Sequence, residues 1–386
     1  MRIGFDLDNT IINYDKSYSR HFSKKKSLKK IDIKKILFEK KLVKSWQSLQ
    51  EKVYSKGLNQ ASCYPGVINF LYFLEKNKIN FYIVSHKTKK PYTGKKIDLR
   101  AYAKSWIKKN IQTKVNIPDK NIFFEETKED KIKRIKSLKL DYFIDDLDII
   151  LQKLPDNMIK LLFNPNILKK ISKKKIIFSN WNDLYKIIFK KNNHQFKDGV
   201  NNHVELLEVG KNKYIYKKFD IIKRKRSFLK EKSFLKIANL HKFNEIPYVF
   251  HHGHDFIIMS YLSGKKTSII DKKLIIQSIN FIKKINQKKI INDLKKNNIG
   301  WASDSCKNLN DTFLTVNKRI KLLKNGIYNN IYKKKIIDYL NKKIIITWKE
   351  IEKDLLKYKK ETKMLFKKKY IIFSPSDFGL HNMKIN

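Results

Sequence analysis

The sequence predicts an α/β protein whose first half carries a mainly parallel sheet and whose second half is α+β. Three observations lead there. Short apolar runs alternate with amphipathic helical segments from residue 2 to about 190, the pattern of a parallel sheet covered by helices. The polar run Lys190-Lys191-Asn192-Asn193-His194 then breaks the alternation, and beyond about residue 200 strand-like segments come first and helices follow. The chain has 386 residues, enough for two domains, since single cores rarely grow past ~250 residues.

The elements follow in order. Residues 2 to 5 read as a buried strand, and after Pro65-Gly66 the residues Val67, Phe70, Leu71 and Leu74 recur at helical spacing. A strand is expected over Phe81 to Val84, and a helix carrying Leu99, Ala103, Trp106 and Ile107. A strand follows at Phe123-Phe124, a helix from Lys131 to Leu138 and strands at Tyr142 to Ile144 and Ile159 to Phe163. A helix near Trp181 to Phe189 closes this part. Residues 11 to 60 interrupt it with a lysine-rich helical insertion placed to cover the strand ends, in which Trp46, Gln47 and Gln50 are candidates for substrate contact and core packing is the more usual fate of such a Trp. The boundaries are therefore 1–190 with an insertion at about 11–60, a linker at 191–198, and a second domain at 199–386. There, strands are expected at Val204 to Val209, Tyr214 to Phe219, Tyr248 to Phe250 and Phe256 to Ser260, with a basic helix from Lys225 to Asn239.

Lysine and arginine number 87 against 36 acidic residues, a formal charge of +51. The lysines are spread through every segment instead of forming one basic arm, so nucleic-acid binding is not expected, and the charge suits phosphorylated substrates. Cys63 and Cys306 lie far apart, which indicates neither a disulfide framework nor a cysteine metal site and fits a reducing cytoplasm. No apolar run approaches the ~18 residues that span a bilayer, and the N-terminus runs straight into an acidic motif.

The chemistry concentrates at strand ends. Asp6-Leu7-Asp8-Asn9-Thr10 follows the first strand, and residues two apart on extended backbone face one side, so Asp6 and Asp8 share a pocket. One carboxylate can attack phosphorus while the other handles the leaving-group proton. Ser85 ends the next strand, Lys131 lies on a later helix, and Asp145-Asp146 ends the strand after it, offering hard oxygens to magnesium. Each alone reads as a cap or a surface residue. Their order is the signal.

That order, with Ile83-Val84-Ser85-His86-Lys87-Thr88 and Phe143-Ile144-Asp145-Asp146-Leu147, resembles the haloacid dehalogenase-like (HAD) hydrolase superfamily over most of residues 1 to 190, near forms found with bacterial surface polysaccharide clusters. The resemblance implies an Asp6 nucleophile, Asp8 as acid and base, and Thr10, Ser85 and Lys131 as phosphate ligands. It also implies a Mg²⁺ site at Asp6, Asp8, Asp145 and Asp146.

In the second domain Asp377 and Asn382 stand five apart in a polar loop, Lys217 (or its neighbour Lys218) sits on a strand and Glu231 on the next helix. Met259-Ser260-Tyr261-Leu262-Ser263-Gly264, with Met259 and Tyr261 as nucleotide contacts, forms a candidate hinge along an adenine pocket. Together these resemble the aminoglycoside phosphotransferase and choline kinase-like family, which implies ATP, an Asp377 base and an Asn382 metal ligand. Pro375-Ser376 stands where that family has His-Gly, and the sequence reaches Asn386 without the family's later metal-binding Asp, so nucleotide binding without efficient transfer is expected. The reading is a Mg²⁺-dependent phosphatase fused to a phosphotransferase-like domain, acting on a small phosphorylated substrate such as a sugar phosphate. The rival is a non-catalytic scaffold with a basic surface for nucleic acid or another anionic partner.

Overall fold

The computed structural model describes residues 1–23, 28–167, 170–171, 175–195, 203–264, 270–297, 308–326 and 333–357. They divide into two compact units: Met1–Ile221 with Val249–Tyr261, and Ile222–Tyr248 with the described residues from Leu262 onward.

The first unit is built on nine early strands: β1 (Arg2–Phe5), β2 (Ile12–Asn13), β3 (Ser62–Cys63), β4 (Asn80–His86), β5 (Ile122–Glu125), β6 (Tyr142–Asp145), β7 (Ile159–Phe163), β8 (Lys170–Ile171) and β9 (Ile176–Phe178). Seven form one sheet in the order β5-β4-β1-β6-β7-β9-β8. All are parallel except the edge strand β8. The short β8 and β9 were not anticipated. Strand β1 lies inside the sheet between β4 and β6, with Ile3 and Phe5 buried on one face and Gly4 buried on the other. Gly4 lies between them for a steric reason: a Cβ there would stand 2.6 Å from Cδ2 of Phe143 on β6. The ring of Phe5 stacks on Trp181 at 5.4 Å, and truncating such a core phenylalanine to alanine costs about 3–5 kcal/mol.

Helices α1 (Asp15–Phe22), α2 (Lys30–Glu39) and α3 (Val43–Tyr54) form the expected insertion. It leaves and rejoins the sheet through a two-stranded ribbon, Ile12 opposite Cys63 and Asn13 opposite Ser62. Helices α4 (Val67–Lys76), α5 (Leu99–Ile107), α6 (Lys128–Ser137), α7 (Asp148–Leu151) and α8 (Leu184–Phe189) cover the sheet and its connections. Gly66 opens α4 with a left-handed φ of 91°, a conformation glycine reaches without strain. Asp98 caps α5 by accepting from the backbone of Arg100 and Ala101, and Thr127 caps α6 by accepting from Asp130 N–H, contacts each worth about 1 kcal/mol.

The second sheet, antiparallel throughout, comprises β10 (Lys190–Gln195), β11 (His203–Val209), β12 (Asn212–Lys218), β13 (Val249–His252) and β14 (Phe256–Ser260) in the order β10-β11-β12-β14-β13. The polar run at 190–194, expected as a linker, is its edge strand, pairing Lys190 with Leu207 and Gln195 with Glu205. Backbone pairing at an edge needs no apolar period, so the sequence pattern hid it. This sheet packs within the first unit. Phe73 of α4 meets Tyr214 edge-on at 5.0 Å, and the Tyr214 hydroxyl donates to Asn77 Oδ1 at 2.6 Å.

In the second unit, most of α9 (Ile221–Leu240) is followed by α10 (Lys272–Ile285), α11 (Lys288–Lys296), α12 (Leu309–Gly326), α13 (Lys333–Tyr339) and α14 (Ile345–Lys357). His241 Nε2 stands 2.9 Å from Asp293 and Lys284 pairs with Glu245. No described helix is long and apolar enough to cross a membrane.

Candidate functional site

Three adjacent strands, β4, β1 and β6, bring the sequence-predicted residues of the first half to one edge. In β1 the register sets Phe5 beside Ile83 and Ile144. The next residues, Asp6 and Asp145, therefore emerge side by side, tied by the Asp6 N–H donating to Ile144 O at 2.8 Å. Active sites of open parallel sheets lie at these carboxyl ends.

Lys131, projecting from α6, is the link between the two acids. Its Nζ donates to Asp6 Oδ1 at 2.6 Å and to Asp145 Oδ2 at 2.7 Å. All three are buried. Burial works against the ammonium, yet Asp145 and Asp6 overcome it and push the Lys131 pKa up. For Asp6, burial with repulsion from Asp145, Asp146 and Asp8 outweighs the pull of Lys131 and raises the carboxyl well above the usual carboxylate range. Asp146, pressed by burial and by Asp145, is pushed up to about 7. One lysine thus does not neutralise the acids around it.

That excess of negative charge fits a divalent cation. Asp6, Asp145 and Asp146 each bring a carboxylate oxygen within 4.8 Å of the others, and hard oxygens of this kind are what Mg²⁺ takes. Asp8, also expected among the metal ligands, lies outside this group. Both of its oxygens are held by Lys87 Nζ, at 2.9 and 2.8 Å, and Tyr14 OH donates to Oδ1 at 2.5 Å. Burial works to raise Asp8, but Lys87 and Tyr14 overcome it and lower the carboxyl. Burial and Asp8 together push the Tyr14 phenol well above its ordinary value, so it remains a donor.

A cavity of about 890 Å³ opens over these groups, walled by Asp6, Asp8, Asn9, Lys87, Lys131 and Asp146 from the sheet side and by Lys30, Lys34, Gln47, Gln50 and Tyr54 from the insertion. The insertion therefore does overhang the strand ends. Gln47 and Gln50 reach the cavity, whereas Trp46 does not: it is buried and stacks on Tyr18 at 5.3 Å. An indole gains more from such packing than from a wet wall. Lys30 closes the span, donating to Asn9 Oδ1 at 2.8 Å and to Tyr54 OH at 3.3 Å. Asn9 itself takes a left-handed φ of 62°, which asparagine tolerates.

Thr10 and Ser85 are fully buried, and neither Oγ1 of Thr10 nor Oγ of Ser85 has a hydrogen-bond partner among the described residues. Leaving a buried hydroxyl unpaired costs about 1–3 kcal/mol.

Sequence reasoning missed Lys87 and Tyr14 as site residues. Lys87 stands one residue past the end of β4, at the same sheet edge as the other strand-end residues, the one local signal that could have found it.

Of the nucleotide-binding candidates, Lys217 and Met259 lie on the paired strands β12 and β14 of the first unit. Lys217 lies on β12 with its ammonium 5.1 Å from the Phe219 ring centroid. Met259 is buried on β14, and the Tyr261 N–H donates to Lys213 O at 3.1 Å. Glu231 is on α9 in the other unit. Asp377 and Asn382 lie outside the described residues.

Fold and site together define an α/β protein with a buried acid and lysine cluster at the carboxyl edge of a parallel sheet. No protein-family profile matches the chain. It is 24% identical over 196 residues to a protein of Oceanobacillus iheyensis, a match that covers 47% of this chain and 96% of that protein. It is 26% identical over 166 residues to one of Bacillus cereus, covering 40% and 80%. Both relatives are named "Putative nucleotidase".

Proposed function

We propose that the first unit is a metal-dependent phosphohydrolase of the HAD-like type, cleaving a phosphomonoester through Asp6. The observation that carries this reading is the grouping of Asp6, Asp145 and Asp146 around Lys131 at the strand ends, beneath a cavity. The names of the two relatives favour a nucleoside monophosphate as substrate. A sugar phosphate, the alternative that the resemblance to surface-polysaccharide proteins suggests, has a phosphoryl group of the same chemistry.

Magnesium held by Asp6, Asp145 and Asp146 would polarise the phosphoryl oxygens as a Lewis acid. The chain's own residues supply the rest. Ser85 and Thr10 give hydroxyl donors to the phosphoryl oxygens, and Lys131 offsets their charge. An Asp6 oxygen attacks phosphorus as the bond to the leaving oxygen breaks, the electron pair staying on that oxygen. Asp8 gives it a proton. Lys87 and Tyr14 keep Asp8 ionised in the resting pocket, so this proton enters with a phosphate monoanion, whose negative charge beside Asp8 raises the carboxyl's proton affinity. Ionised again, Asp8 draws a proton from the water that attacks the aspartyl phosphate, which frees phosphate and restores Asp6.

The test is a Mg²⁺ assay of the purified protein on 5′-nucleoside monophosphates and sugar phosphates. Phosphate release that disappears in Asp6→Asn supports the reading, and the preferred member of the panel names the substrate class. Release from no member overturns it.

A second reading applies to the later residues. An antiparallel sheet carrying Lys217 and Met259 on paired strands, followed by helices, favours nucleotide binding of the phosphotransferase-like kind. Calorimetric titration with ATP and Mg²⁺ checks it: binding weakened in Lys217→Met supports it, and no binding by the unaltered protein removes it.

A further inference from the structure

Lys87 is built into the site more firmly than a lysine needs to be for solubility. Its side chain is 3% exposed. Its N–H donates to Glu125 O at 2.9 Å, and its carbonyl accepts from Arg100 Nε at 2.8 Å, while the guanidinium of Arg100 is itself held by Glu126. The ammonium lies 4.6 Å from the ring centroid of Tyr54, on the insertion, and meets both oxygens of Asp8. Burying a lysine this way costs several kcal/mol of hydration unless its partners return it, and the partner here is one carboxylate.

The two buried lysines divide the site between them. Lys131 contacts Asp6 and Asp145, on the side where a bond to phosphorus would form. Among the described residues, the one carboxylate that Lys87 pairs with is Asp8. Resting on the phosphohydrolase reading, we propose that Lys87 is a positioning residue for departure of the leaving group: with Tyr14 it fixes the Asp8 carboxyl so that a proton reaches the leaving oxygen as the P–O bond breaks. Lys87 itself gives up no proton. It fixes the rotamer of Asp8, and Tyr14 occupies Oδ1 from the other direction.

The proposal has a signature that neither a fold defect nor a phosphate-binding role reproduces. A nitrophenolate leaves as a stable anion and gains little from a proton, whereas an alkoxide cannot leave without one. The measurement is kcat/KM, which reports transfer to the enzyme, for p-nitrophenyl phosphate and for a simple alkyl phosphate, using the full chain with Mg²⁺. In Lys87→Met the alkyl phosphate should lose about 100-fold, in the range general acid catalysis contributes, and p-nitrophenyl phosphate only a few-fold. Lys87→Arg, which keeps the charge and donors, should recover most of the alkyl rate. The ratio of the two rates within one preparation does not depend on how much of the variant is folded. Equal losses on both substrates would overturn the proposal, showing that Lys87 binds phosphate or supports the fold. Failure of the unaltered protein to hydrolyse either ester would instead strike the phosphohydrolase reading itself.

Discussion

Among the described residues of the first unit, Glu205 and Asp6 are both carboxylates buried beside cations, and only Asp6 has the makings of a reactive site. On the second sheet, Glu205 is buried with Lys186 at 3.2 Å, Lys190 at 2.6 Å and His203 at 3.0 Å around it. The acid is outnumbered, and although burial acts to raise it, hydrogen bonds from Lys190 and His203 hold its pKa down at about 2. At the edge of the parallel sheet the balance is reversed: acids outnumber the lysine between them, and Asp6 and Asp146 are pushed up. A satisfied charge stabilises its surroundings. An unsatisfied group has free energy left for a ligand, which is why perturbed carboxyls in a cleft mark candidate sites.

The comparison can be broken most severely at Asp6. Asp6→Asn should cut phosphatase turnover by roughly a thousandfold or more while leaving the melting temperature little changed, because one of several crowded acids is removed. Turnover within tenfold of the unaltered protein would mean the cluster is structural, like that at Glu205.

Lys131→Met attacks the other member. It leaves Asp6 and Asp145 buried without their shared cation, and breaking such a buried pair costs about 3–5 kcal/mol. Urea unfolding should show the loss, with Mg²⁺ restoring part of it by taking the lysine's place between the acids. A loss that Mg²⁺ does not touch would argue against a cation site.

Metal binding has its own, smaller readout. If Asp6, Asp145 and Asp146 hold Mg²⁺, the ion at about 100 times its Kd should add about 2.7 kcal/mol of stability, and chelator should remove it. Asp145→Asn should abolish the shift. A shift that survives in this variant would place the ion elsewhere.

The mildest effect is expected at Glu205. Its folded pKa of about 2 lies below the ordinary glutamate value of 4.5, so its stabilisation is fully present above about 4.5 and is lost as pH falls toward 2. Glu205→Gln should flatten stability across that window, read by thermal unfolding against pH. An unchanged slope would show that Glu205 is not a net stabiliser.

Much of this was legible in the chain, unevenly and for physical reasons. Strands β1, β4 and β6 announce themselves as short apolar runs, with Asp6 just past the end of β1, Ser85 in the last two residues of β4 and Asp145 ending β6, because a strand buried on both faces cannot hide its composition. Asp146 followed from its neighbour, and Lys131 from its place in the order of motifs. Lys87 did not stand out, since in a chain this rich in lysine one more carries no signal until its partner is known. Tyr14 was equally silent: its role depends on the ribbon of β2 and β3 that sets the insertion over the sheet. For Trp46 the sequence left substrate contact and core packing both open, and the structure takes the second: one helical step from Gln47, it points at Tyr18. Strand β10 escaped because edge pairing is made by backbone alone.

The central claim is that Asp6 becomes phosphorylated. The direct measurement is to mix enzyme, Mg²⁺ and the preferred substrate from the panel, quench in acid within the first turnover, and reduce with borohydride, which converts an aspartyl phosphate to the corresponding alcohol. Peptide mass analysis then locates the reduced residue. The account predicts reduction at Asp6 in the unaltered protein and none in Asp6→Asn. Reduction at another carboxylate, or continued turnover with Asp6 never modified, would contradict it.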